Sequence, residues 1–286
     1  MKKVMALLLS IAMMLSLTAV EVMADDEAVT LDLSEGSIVI SATGYKQGSG
    51  KETPFTGAYT IVQNDTTYMD RTISVTGGTQ KITMGSAVDI DVHGKSGACA
   101  FSIEKGASVE LVLAGPVTLK SGEKKAGLSV PTGAAVTISA AKRAGSLSAT
   151  GGNSSAGIGG SSTAGGSITI LSGTVEAFGG MDGAGIGGSY AIRYFGTTYY
   201  NIDMYGHGVN MHFGSQTNPS LWSGTIIAKG GKYSAGIGGG SWTTKQDMDG
   251  INAASDIVIS GGRVSARGQY NCAVIGGGQY VPARNI

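Results

Sequence analysis

Eight aromatic side chains fall between Ser189 and Trp222, namely Tyr190, Tyr194, Phe195, Tyr199, Tyr200, Tyr205, Phe213 and Trp222, although Phe, Trp and Tyr make up only 6 % of the chain. Tyrosine and tryptophan present a flat apolar face with a polar tip. Such faces stack on sugar rings and suit a protein partner equally well. Some of the eight, Phe195 and Phe213 first among them, are needed simply to hold the stretch against the rest of the protein. The candidate ligand-binding residues are therefore Tyr199, Tyr200, Tyr205 and Trp222, joined by Trp242 from a second irregular stretch.

Other patterns point to chemistry and fail on context. Gly183-Ala184-Gly185-Ile186-Gly187-Gly188 satisfies G-x-G-x-x-G, but a dinucleotide loop needs a following helix to face the pyrophosphate. No amphipathic helical stretch follows, so no cofactor is expected. Asp247, Asp249 and Asn252 alternate around Gly250 like a short calcium loop. The further ligands and closing Glu of a full site are missing. A solvated turn is the better reading, with calcium left open. His93, His207 and His212 show no zinc spacing with cysteine or carboxylate, and no metal is expected.

Gly206-His207-Gly208-Val209, with Asn201-Ile202-Asp203 upstream, is similar to two signatures of the polygalacturonase family. That family adds an Asp-Asp pair and a downstream Arg-x-Lys, which do not recur here at its spacing. An inverting hydrolase also needs two carboxyl groups roughly 6.5 to 9.5 Å apart, and only Asp203 lies nearby. His207 reads as a turn histidine, and the chain is expected not to be an enzyme.

The elements behind these residues come from a repeat. A-G-I-G-G occurs at Ala156, Ala184 and Ala235, with weaker copies at Cys99, Ala126 and Ala273. The third positions, Phe101, Leu128, Ile158, Ile186, Ile237 and Ile275, are spaced by 27, 30, 28, 51 and 38 residues. Within Ala156 to Gly183, three short runs alternate apolar with small or polar residues: around Ile158, around Ile168 and Ile170, and around Val175 and Ala177. Period-two alternation means strands with one face inward. Glycine, at 48 residues, supplies the turns between them.

Three strands of so few residues cannot close a sheet alone, whereas stacked copies pair each strand with its counterpart roughly 4.7 to 4.9 Å away. The predicted fold is all-β: a right-handed parallel β-helix solenoid, three short strands per coil of about 28 residues. Ile158, Ile186, Ile237 and Ile275 should form one inward column, and Ala149, Ala177, Ala228 and Ala266 another. An antiparallel sandwich is the runner-up, but it leaves the repetition of the whole three-strand unit unexplained.

Residues 1–24 read as a signal peptide: Lys2 and Lys3, the apolar run Val4 to Val20, and a small residue at Ala24. Residues 25–72 read as an N-terminal cap, and 73–286 as the repeat domain, with insertions at about 189–222 and 241–255. Both insertions follow A-G-I-G-G, so they should share one corner of adjacent coils. Loops thrown out from a rigid scaffold are common seats of binding. The 20 basic and 20 acidic residues give no stripe of one sign for nucleic acid, and cleavage leaves no membrane span. Cys99 and Cys272 should sit roughly 20 Å or more apart at one strand spacing per coil, too far for a disulfide, with Cys99 buried.

The segment from Gly106 to Gly188, with G-A-S-V-E-L-V-L, G-A-A-V-T-I, G-S-L-S-A-T-G-G and the A-G-I-G-G copies, resembles glycine-rich repeats of secreted and cell-surface proteins of Gram-positive bacteria. These are adhesin-like or carbohydrate-binding β-helix modules. The resemblance implies an extracellular location and a glycan or surface-protein partner. A passive spacer and a polysaccharide-active enzyme are the alternatives. The last repeat breaks off at Ile286, before its second strand, which leads to the expectation of a longer protein or a partner that caps it.

Overall fold

A computed structural model describes residues 28–85, 87–141, 144–189, 208–213, 224–240 and 254–278. These residues form an almost wholly β structure of three sheets, with eight, six and ten strands. From Ile73 onward the chain visits the sheets in rotation. Ile73–Val75 lies in the ten-stranded sheet, Thr79–Met84 in the eight-stranded and Val88–Asp91 in the six-stranded. Phe101–Ile103 then returns to the ten-stranded sheet. The strands pair in parallel with their counterparts in the next repeat, apart from two antiparallel pairings near the N-terminus. These three sheets are called below the third, first and second, in the order ten, eight and six strands.

The register follows from side-chain size on the inward face. In the third sheet Phe101, Leu128, Ile158, Ile186, Ile237 and Ile275 are direct partners in turn. The first five are fully buried. In the second sheet Ile90, Leu119, Ala149, Ala177, Ala228 and Ala266 form one column, so the expected alanine column begins with two large residues. In the first sheet Leu111, Ile138, Ile170 and Phe213 align. Each fully buried Leu or Ile contributes roughly 1.5 to 3 kcal/mol. A one-residue slip would turn a whole column outward.

Glycine is required where repeats touch. A Cβ on Gly157 would lie 2.6 Å from the Phe178 nitrogen and 2.8 Å from the Gly185 oxygen. On Gly185 it would lie 2.6 Å from the Gly236 oxygen. Backbone of the following repeat occupies the space a side chain would need.

The N-terminal residues take part in the sheets as well as closing them. Val29–Asp32 and Tyr59–Val62 are the outermost strands of the first sheet, and Ile38–Ile40 pairs in parallel with Ile73–Val75 in the third. The antiparallel strands Gly44–Gln47 and Thr53–Pro54 then cover the third sheet's edge. Tyr45, Phe55 and Tyr59 pack edge-to-face beneath this hairpin, with ring centroids 5.2 to 6.4 Å apart. The second sheet starts only at Val88–Asp91. There the Gln63 side-chain oxygen accepts from the Asp89 nitrogen at 2.7 Å, and the Met69 carbonyl from the Asp91 nitrogen at 2.7 Å. An unpaired edge is thus covered without a strand.

The expected insertion 189–222 is interrupted by a core strand. Gly208–Phe213 pairs with Ser167–Ile170 on one side and Ala254–Ile259 on the other, and Met211 and Phe213 are fully buried. The reason is the period-two apolar pattern Val209, Met211, Phe213, which the aromatic excess around it obscures.

Candidate functional site

The repeat-built turn after Ile186–Gly187 fixes the place where two long stretches leave the sheets. Ser189 is held against the preceding repeat by three contacts. Its nitrogen donates to the Thr163 oxygen at 3.2 Å, its hydroxyl donates to the same oxygen at 2.8 Å, and it accepts from the Thr163 nitrogen at 2.8 Å. Gly240, after Ile237–Gly238, lies directly on Ser189: a Cβ there would be 2.5 Å from the Ser189 carbonyl carbon. The stretches 190–207 and 241–253 therefore depart from neighbouring points of adjacent repeats.

All five candidate residues, Tyr199, Tyr200, Tyr205, Trp222 and Trp242, lie outside the described residues, as do Asp203, His207, Asp247 and Asp249. Their flanks nevertheless sort them. Tyr199, Tyr200 and Tyr205 belong to the stretch leaving Ser189, and Trp242 to the one leaving Gly240. Trp222 belongs to the stretch between Phe213, in the first sheet, and Gly224, just before the next strand of the second. Only the first two stretches share an origin. Phe213 is a core residue and offers no surface to a ligand.

A polar cluster unforeseen in the sequence lies on the outer face of the second sheet. Register places Asp91 beside Lys120, and the Lys120 ammonium donates to the Asp91 carboxylate at 3.1 Å. The His93 ring and backbone nitrogens bond the other carboxylate oxygen. Burial pushes the Asp91 pKa up, but these hydrogen bonds outweigh it and hold the carboxyl below its ordinary range. Neighbouring Asp89 behaves oppositely, raised chiefly by burial, and one of its oxygens is enclosed without a hydrogen bond. His93 and Lys120 line an open groove of about 420 Å³ with Ser121, Glu123, Thr150 and Asn153. Aligning Asp91 with Lys120 by repeat period would have exposed this pair in the sequence.

Cys99 lies beside Ser121. Its thiol donates toward the Phe101 and Ala126 carbonyls at 3.4 Å, and the Ser121 hydroxyl points at its sulfur from 3.9 Å. Burial raises its pKa to about 11, so it is a poor nucleophile near neutral pH. Cys99 and Cys272 form no disulfide. Among the described residues no group of three or more His, Cys, Asp or Glu is arranged to hold a metal ion. No helix there is long and apolar enough to cross a membrane.

Comparison of the chain with protein-family models, with curated proteins and with solved structures finds no match in any of the three.

Proposed function

We propose that the chain is a secreted or cell-surface binding module. It winds as a right-handed parallel β-helix and adheres to a glycan or surface protein through the stretches that leave Ser189 and Gly240. The rotation of strands through three parallel sheets supports the winding. The observation that carries the binding role is the contact between Ser189 and Gly240. It sets the starting points of a tyrosine-rich stretch and of one containing Trp242 on touching residues. A rigid stack with long chain segments issuing from one place is how scaffolds commonly present binding surfaces. The N-terminal pattern of residues 1–24 supports export.

The test is a glycan array with the processed protein, beside a variant in which 190–207 is replaced by a short Gly-Ser linker. Calorimetry with the hits then compares wild type with Tyr199→Ala/Tyr200→Ala. Loss of two stacked rings should weaken binding roughly ten- to hundredfold. Equal affinities would remove these tyrosines from the site. A passive spacer would bind nothing, and a polysaccharide-active enzyme would release new reducing ends or unsaturated products.

A further inference from the structure

The turn joining the second sheet to the third closes with the same hydrogen bond in five consecutive repeats. Each is a four-residue turn whose fourth nitrogen donates to the first carbonyl. The pairs are Lys125 to Gly122, Ser155 to Gly152, Gly183 to Gly180, Ser234 to Gly231 and Cys272 to Gln269, at 3.0 to 3.3 Å. Neighbouring turns are also laced together, as by Lys124 nitrogen to Asn153 oxygen at 3.0 Å and Ser154 nitrogen to Met181 oxygen at 2.7 Å.

In four of the five turns the third residue takes positive φ, a position that favours glycine; the exception is Tyr233. An earlier turn of the chain has glycine there, Gly97 at φ +74. The later copies do not: Lys124 has φ +63, Ser154 +61, Asp182 +67 and Asn271 +64. In the last copy Tyr270 also has positive φ, +50, and is 61 % exposed. In a chain with 48 glycines, four side chains are kept where glycine would be less strained. None of them fills the core. Strain of this kind collects where a side chain serves a function.

Those side chains stand beside the second residues of the turns, Glu123, Asn153, Met181, Lys232 and Tyr270, all exposed. Together they form a ridge along the direction in which repeats succeed one another, roughly 19 Å from Glu123 to Tyr270 at the usual strand spacing. At one end Glu123 and Asn153 border the groove of about 420 Å³ that also holds His93 and Lys120. At the other, the Tyr233 and Tyr270 rings lie 5.6 Å apart, with the Lys232 ammonium 5.1 and 5.3 Å from their centroids.

We propose that this ridge is a second binding surface, which takes a linear, uncharged oligosaccharide lying along the succession of repeats. Amide, hydroxyl and carboxylate groups of Glu123, Asn153, Ser154, Asp182 and Asn271 match sugar hydroxyls, and the Tyr270 ring offers a stacking face. The ridge carries Glu123 and Asp182 against Lys124 and Lys232, so its charges balance and favour no polyanion. An extended peptide fits less well, because strand addition needs a free backbone edge, and the turn nitrogens named above already donate to carbonyls within and between turns. The ligand class rests on the binding function proposed above; the surface does not.

Calorimetry on the full processed chain with cellohexaose, xylohexaose and chitohexaose, beside hexagalacturonate, tests this. Two ridge variants are used, Lys124→Gly/Ser154→Gly/Asp182→Gly and Tyr270→Ala, with Tyr199→Ala/Tyr200→Ala in parallel. The glycine variant should melt no lower than wild type and yet bind a neutral hexasaccharide at least tenfold more weakly, as should Tyr270→Ala. Unchanged affinity in both ridge variants would overturn the proposal, and a loss confined to the Tyr199/Tyr200 variant would leave that stretch as the only site. Binding of hexagalacturonate alone, or of no neutral hexasaccharide, would also overturn it.

Discussion

The side-chain oxygen of Gln63 caps the backbone nitrogen of Asp89 at 2.7 Å, while the amide nitrogen of the same side chain donates to the Tyr68 carbonyl at 3.3 Å. One buried side chain thereby replaces a missing strand at the start of the second sheet. Gln63→Leu would leave a buried donor without a partner, which costs about 1 to 3 kcal/mol. Guanidinium unfolding should show a lower midpoint for this variant. An unchanged midpoint would mean that water serves the Asp89 nitrogen equally well.

Ile186 lies between Ile158 and Ile237 in the inward column of the third sheet. Ile186→Asp puts a carboxyl among apolar neighbours with no counter-charge, and burial of an unpaired charge is strongly unfavourable. The protein should fail to fold or melt far below wild type, whereas Ile186→Val should cost about 0.5 to 1.5 kcal/mol. Circular dichroism melting of both variants checks the pair.

Cys99 supplies a pH-dependent contribution whose sign can be worked out. Its thiol has a pKa of about 11 in the folded chain, against an ordinary value of 9.0. Between these values the unfolded chain loses the proton and the folded chain keeps it. Stability therefore falls as pH rises from 9 towards 11, by up to about 1.4 kcal/mol per pH unit. Below pH 9 the group has no effect. Urea titrations of wild type and Cys99→Ala at pH 8 and pH 10.5 should show wild type losing stability relative to the variant at the higher value. Iodoacetamide at pH 8 should leave Cys99 unmodified until the protein is unfolded.

Export should remove residues 1–24. Mass spectrometry of secreted protein is expected to find Asp25 as the first residue; an intact Met1 in a membrane fraction would count against processing.

The sheets were legible because their columns are written in residue types at a nearly constant spacing: the Phe101 to Ile275 series and the Ala149 to Ala266 series are both register partners. Two features were not. Residues 28–72 contribute strands without a copy of the A-G-I-G-G motif, so the repeat pattern gives no warning that Ile38 pairs with Ile73. The strand Gly208–Phe213 was hidden because Phe213 belongs at once to an aromatic-rich stretch and to the column above Ile170. The Asp91 and Lys120 pair escaped for another reason. Outward residues vary from repeat to repeat, and only the register brings those two together.

The close approach of one repeat's backbone to Gly157 and Gly185 also bears on how such a chain can diversify. Every codon change that replaces either glycine with another amino acid adds at least a Cβ, which would lie within 2.8 Å of main-chain atoms of the following repeat. After Ser189 and Gly240, by contrast, the spacing to the next repeat grows to 51 and 38 residues while Ile186, Ile237 and Ile275 stay in register. Novelty in this architecture is therefore cheaper by lengthening than by substitution, and new recognition is most readily acquired by inserting residues at those two points.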